Sequence, residues 1–113
     1  MHELGIMQSA LEMAEDKARA VGGKKIHRIR LRIGALSGVV PEALRFAYEG
    51  LRIETLASEA ELEIEEIPAA CWCGACQTEF MALDRQFECP RCHQPTGQLR
   101  RGTELELTSL EIS

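Results

Sequence analysis

Two periods alternate along the chain. Leu4, Met7, Leu11, Ala14, Ala18 and Val21 recur at spacings of three and four. That places them on one face of a predicted helix. Glu15 stands four residues before Arg19, a favourable helical pairing, and Gly22-Gly23 is expected to stop the helix. Residues 26–33 switch to a period of two. Ile29, Leu31 and Ile33 point one way and Arg28, Arg30 and Arg32 the other, as in a half-buried strand with a basic outer face. Gly34 to Gly38 reads as a turn. Pro41 suits the first position of a second helix and Glu42 its first turn. That helix is predicted to run to about Thr55 and to bury Leu44, Ala47, Tyr48 and Leu51.

Alternation returns over 61–67, with Leu62 and Ile64 inward and Glu61, Glu63 and Glu65 outward. Glu104-Leu105-Glu106-Leu107 repeats the pattern. Leu110 and Ile112 then fall on the other parity, so a bulge near Thr108-Ser109 is expected to restore a common inward face. Opposite charges on neighbouring strands stabilise a sheet and like charges oppose it. The Arg28/Arg30/Arg32 strand is therefore expected to neighbour at least one Glu-rich strand.

The order helix, strand, helix, strand, cysteine segment, strand predicts an α+β fold. It is a small mixed three-stranded sheet with two helices on one face, plus an inserted zinc-ribbon module. The expected division is an α/β domain over 1–70 and 101–113, interrupted by the cysteine domain at 71–100.

Composition narrows the class. A chain of 113 residues that is 45% hydrophobic has enough apolar surface for a modest core and is too apolar for a disordered chain. No apolar run approaches the ~18 residues that span a bilayer. Glu3, Glu12, Glu15 and Asp16 do not suit a signal peptide, so a cytoplasmic, membrane-free protein is expected. A net charge of −5 argues against non-specific nucleic-acid binding, which draws on phosphate neutralisation.

All five cysteines fall between positions 71 and 92. An odd, clustered count without an export signal suits metal better than disulfides. Cys73-Gly-Ala-Cys76 and Cys89-Pro-Arg-Cys92 each point two thiolates at one centre, and together they complete a zinc tetrahedron. Four cysteine ligands leave no open position, so the zinc is read as structural. Phe80, Leu83 and Phe87 are expected to supply some packing, and the metal most of the folding free energy. Cys71, at the poorer C-x-C spacing, reads as the spare thiol, and His93 as a neighbour of the site.

The chain opens Met1-His2-Glu3. A bulky second residue opposes removal of Met1, which is then expected to carry a free amine. That amine, the His2 amide nitrogen and the His2 imidazole can close adjoining chelate rings on one cation. Nitrogen donors so arranged favour Ni(II) or Cu(II).

The whole pattern resembles the HypA/HybF hydrogenase nickel-incorporation proteins. The resemblance rests on Met1-His2-Glu3-Leu4 and on Ile33-Gly-Ala-Leu-Ser-Gly-Val39. It continues through the two cysteine pairs and the closing Gly102-Thr-Glu-Leu-Glu-Leu-Thr-Ser-Leu-Glu-Ile112. It implies a nickel metallochaperone of [NiFe]-hydrogenase maturation rather than an enzyme, with Ni(II) as transferred cargo and Zn(II) as structural ion. It places nickel on Met1, His2 and Glu3, and zinc on Cys73, Cys76, Cys89 and Cys92. The partners implied are a HypB-type GTPase and the hydrogenase large-subunit precursor, with a homodimer left open. Some members carry an extra nickel-binding His between the cysteine pairs; here residues 77–88 contain none.

Two other readings compete. A zinc-ribbon module for protein or nucleic-acid interaction would use Arg85, Arg91, Arg100 and Arg101, but the acidic total and scarce aromatics oppose it. A zinc hydrolase needs an open metal position and a nearby base, and the sequence offers no such constellation.

Overall fold

The computed structural model describes residues 2–83 and 86–113. Met1, assigned to the nickel site, and Arg85, from the basic set, lie outside the described residues. The elements run α1 (His2–Ala20), β1 (Ile26–Gly34), α2 (Pro41–Leu51), β2 (Glu61–Ile67), β3 (Ala70–Cys73), β4 (Thr78–Met81), β5 (Leu99–Arg101) and β6 (Leu105–Ile112). They form two three-stranded sheets, ordered β2-β1-β6 and β4-β3-β5.

In the first sheet, β1 is central, parallel to β2 and antiparallel to β6. A parallel neighbour needs a crossover, and α2 supplies it. The Arg row lies between two Glu rows. Arg28, Arg30 and Arg32 stand opposite Glu61, Glu63 and Glu65 on one side. Arg28 and Arg32 stand opposite Glu111 and Glu106 on the other. Arg30 reaches Glu63 at 2.8 Å and Arg28 reaches Glu61 at 3.1 Å. The bulge falls at Thr108: Arg30 pairs with Ser109 and Leu31 with Leu107, leaving one residue between them. The Thr108 hydroxyl donates to the Arg30 carbonyl at 3.2 Å. Leu107, Leu110 and Ile112 thereby all pack against the core.

That core joins Met7, Leu11, Ala14 and Ala18 of α1 to Ile29, Leu31 and Ile33 of β1 and to Leu44, Ala47 and Tyr48 of α2. The helical stripe differs from expectation at both ends. Leu4 is 49% exposed and Val21 73% exposed, whereas Glu3 is 8% exposed. Glu3 lies one helical repeat of four before Met7, and its carboxylate is satisfied there by the Val40 N–H at 3.1 Å. Val21 lies beyond the last helical residue. There Gly22, at φ 75°, turns the chain, and the Gly23 N–H bonds the Ala18 carbonyl at 2.7 Å.

The second helix ends at Leu51, short of Thr55. The Thr55 hydroxyl donates to the Arg52 carbonyl at 2.7 Å, and the Arg52 guanidinium and the Tyr48 hydroxyl both donate to the Ala60 carbonyl. These bonds turn the chain back toward β2. The Glu15 carboxylate accepts the Leu56 N–H at 3.1 Å. Two α1 carboxylates, Glu3 and Glu15, thus pin the segments that enter and leave α2.

The second sheet has its own small core of Ala69, Cys71, Cys73, Phe80, Ala82 and Cys89. Leu83 and Phe87 are exposed rather than packed as expected; alanines and sulfurs fill the space instead. Two cores rather than one give an elongated body of 54 × 28 × 16 Å. The layers meet where Gly34 crosses Gly102. The Leu36 N–H donates to the Gly102 carbonyl at 2.6 Å and the Gly34 N–H to the Glu104 carbonyl at 2.8 Å. A Cβ at Gly34 would land on the Gly102 carbonyl. Leu36 itself packs against the second core.

Candidate metal centres

Each cysteine pair occupies a tight turn. Cys73 ends β3, and the Cys76 N–H points back at its sulfur at 3.4 Å. In the second turn the His93 N–H bonds the Cys89 carbonyl at 2.8 Å. The residue after each pair, Gln77 and His93, has a positive φ of 55° and 64°. The two turns therefore reverse direction in the same way and face each other. The four sulfurs of Cys73, Cys76, Cys89 and Cys92 all lie within 4.8 Å of one another. The Cys73–Cys92 separation is 3.5 Å and Cys76–Cys89 is 4.0 Å. A zinc ion bonded to four sulfurs at about 2.3 Å sets them roughly 3.8 Å apart, a spacing that the Cys73–Cys92 and Cys76–Cys89 separations bracket.

The thiols are unequal. Backbone N–H groups of Cys92 and Arg91 bring Cys89 down to about 7, whereas the Cys92 side chain and burial push Cys76 up to about 12. The Cys89 thiolate forms readily, whereas Cys76 holds its proton until a cation displaces it. Cys71 is buried outside this group, opposite Phe80 and beside Leu99. Burial raises its pKa, which makes it a poor nucleophile. The His93 side chain is exposed, with Nδ1 3.8 Å from a Glu88 oxygen; its backbone makes the turn.

At the other end, His2 opens α1 and its side chain is exposed. It lines one end of a cavity of about 530 Å³ between α1 and β6, with Ile6, Ala10, Met13, Leu105 and Leu107. Glu3 turns instead toward Val40. The Val40 N–H, and then its own N–H, hold the Glu3 carboxyl below the usual range. The first four N–H groups of a helix have no intrahelical acceptor. The His2 amide is among them, so no carbonyl of the helix accepts its proton.

Two of the remaining basic residues are engaged internally. Arg100 stacks over the Trp72 ring at 4.6 Å and Arg101 reaches Glu79 at 2.8 Å. His27 Nε2 lies 2.6 Å from the Ser113 hydroxyl. Among the described residues no second group of three His, Cys, Asp or Glu side chains converges as the four cysteines do. Sequence patterns did not reveal Glu3 as a cap for α2. The one available signal was an acidic residue at a core position of the helical stripe.

The fold and its sulfur cluster define a metal-handling α+β protein in which a four-cysteine ribbon interrupts a helix-covered sheet. Residues 1–112 match the family described as "Hydrogenase/urease nickel incorporation, metallochaperone, hypA". Proteins called hydrogenase maturation factor HypA are 43% identical in Picosynechococcus sp. and 45% in Chloroflexus aurantiacus. These matches cover 99% and 98% of both chains, respectively. The solution structure of the Ni metallochaperone HypA from Helicobacter pylori matches with a TM-score of 0.67 at 29% identity. That match covers 97% of this chain and 96% of that one. The chain belongs to the HypA family of hydrogenase and urease nickel-incorporation metallochaperones.

Proposed function

We propose that this protein binds Ni(II) at Met1, His2 and Glu3 and delivers it to the [NiFe]-hydrogenase large-subunit precursor. It works in the cytoplasm with a HypB-type GTPase. It catalyses no reaction of its own. Residues 1–70 and 101–113 form the nickel-binding domain, and residues 71–100 form a ribbon held by structural zinc on Cys73, Cys76, Cys89 and Cys92.

The observation that carries the reading is the family match over residues 1–112, joined to an exposed His2 at the first turn of α1. The amine, the adjacent amide nitrogen and the imidazole offer three nitrogens in consecutive rings, a set that suits Ni(II). The positive end of the helix favours loss of the amide proton. The zinc ion supplies no chemistry; it holds the two cysteine turns together.

Calorimetry tests the reading on zinc-loaded protein with a native amino terminus. His2→Ala and N-terminal acetylation each remove one donor, so tight nickel binding is expected to vanish in both while zinc stays. Equal nickel affinity in the acetylated form would refute the chelate and send the search to His27 and His93.

A further inference from the structure

Two helices cover three strands, and the shortfall falls on β6. Leu105, Leu107, Leu110 and Ile112 stand opposite Ile33, Leu31, Ile29 and Ile26 of β1. Paired residues share a sheet face. The four β1 residues are buried, yet none of the four on β6 is, and Leu105 is 48% exposed. Facing them, α1 carries a second stripe. Ile6, Ala10, Met13 and Lys17 each stand one position before a core residue, Met7, Leu11, Ala14 or Ala18, and Met13 is 48% exposed. Between stripe and strand lie two cavities of about 530 Å³ each, which meet at Leu107. Together they make a trough from His2 to Val21. Among the described residues Lys17 lines it, whereas Glu12, Glu15 and Asp16 do not.

Contiguous uncovered apolar surface of this kind marks a binding groove. An added strand would pair with the free edge of β6, but the bulge at Thr108 breaks the register of that edge. A helix needs no such register. Lying beside α1, it would complete the layer that covers the sheet. From Ile6 to Ala20 the helix rises about 21 Å, the length of a partner helix of about 15 residues.

We propose that the trough between α1 and β6 docks an amphipathic helix of another protein. Its aliphatic stripe lies on Leu105, Leu107 and Leu110, and an acidic residue lies beside Lys17. The apolar walls supply the affinity, and Lys17 sets which way the helix runs. This goes beyond the nickel reading and does not depend on metal at His2.

The test uses the zinc-loaded full chain and a capped, labelled synthetic peptide of about 18 residues, long enough to fill the trough. The peptide carries Leu in a helical stripe, one Glu at the end that meets Lys17, and Gln and Ala elsewhere. Fluorescence anisotropy reads its binding. Met13→Glu and Leu105→Glu each put a carboxylate on one wall and are expected to weaken binding at least about tenfold. Phe46→Glu lies on the outer side of α2, at an 84% exposed position, and is expected to leave binding within about twofold. Lys17→Glu is expected to weaken it about threefold, and a peptide with Lys in place of its Glu to recover the loss. All four positions are exposed, so the variants are expected to keep the parent's circular dichroism.

No binding of the striped peptide up to about 1 mM would overturn the proposal, since that concentration corresponds to only about 4 kcal/mol. Equal binding of a scrambled peptide, or equal weakening by Phe46→Glu, would overturn the trough as the site. Tighter binding of a peptide with alternating Leu and Gln would make the ligand a strand. Sedimentation of the unliganded chain separates the remaining occupant. A monomer supports the proposal, whereas a dimer that Met13→Glu splits would put a second copy in the trough and overturn it.

Discussion

The helix-covered sheet and the cysteine ribbon stabilise themselves in different ways. The first buries long aliphatic side chains, with Met7, Ile26, Ile29, Ile33 and Leu44 at or below 2% exposure. The second has one aromatic residue, alanines and sulfurs in its core, while Leu83 and Phe87 face solvent. A stretch of about 30 residues has too little apolar surface to offset its chain entropy. Convergence of four sulfurs adds a metal-dependent term that the sheet does not need. With zinc on the four sulfurs as proposed, one region would owe its stability to hydrophobic burial and the other to pH and metal supply.

The largest expected effect falls on the ribbon alone. Cys76→Ser should lose zinc and unfold residues 71–100, since structural zinc contributes on the order of 10 kcal/mol to such modules. The α1/α2 layer should keep its far-ultraviolet circular dichroism. Cys71→Ser should retain one zinc per chain by metal analysis, and equal zinc loss in both variants would contradict the ligand set. Acid should release zinc as well, because protons compete for the thiolates, Cys76 most strongly.

Ile29→Ala reverses the comparison. It cuts into the aliphatic core and should lower the stability of the layer by about 2–5 kcal/mol in urea. Zinc content in the native baseline should stay unchanged. Loss of zinc at the same urea concentration as loss of helix would mean that the two regions unfold as one.

The junction is the place where both should respond. Gly34→Ala puts a methyl group against the Gly102 backbone, and that backbone cannot swing aside like a side chain. A loss of about 1–3 kcal/mol is expected, with faster exchange at both Leu36 and Ala69. Exchange that changes on only one side would place the boundary elsewhere.

The smallest effect belongs to the charged face. Arg30→Glu faces Glu63 across the β1–β2 pair and should lower the low-salt urea midpoint by about 0.2–0.5 M. The difference should shrink at 1 M salt, where charges are screened within about 3 Å. The Arg30 hydrogen bond holds the Glu63 carboxyl below its ordinary range. A carboxyl lowered on folding stabilises the fold above its unfolded value and loses that contribution as pH falls through the folded value. The parent should therefore lose stability on acidification below the ordinary carboxylate range, and Arg30→Glu should flatten that slope. An unchanged slope would remove the pair from the account.

Much of the molecule was legible in the residues themselves. Alternation in β1, β2 and β6 fixed which side chains face the core, because a strand's period of two admits one inward set. The parity change after Leu107 required an extra residue, and Thr108 is that residue. The Arg and Glu rows foretold adjacent strands, and the spacing of the cysteine pairs foretold that four sulfurs would meet.

Other features depend on partners distant in sequence, and no local pattern encodes those. Glu3 sits where a core residue of the helical stripe belongs, and it accepts there from an N–H 37 positions away. The end of α2 was misplaced because Thr55, Arg52 and the Ala60 carbonyl draw the chain back. Leu83 and Phe87 are apolar yet exposed, because the inside of the ribbon is filled by the sulfurs and by side chains of β3 and β4. Periodicity and ligand spacing are properties of consecutive residues, so the sequence by itself determined the two helices, the inward faces of β1, β2 and β6, and the sulfur cluster. Which buried polar group meets which distant backbone atom follows from how those elements pack, and only the tertiary structure decided it.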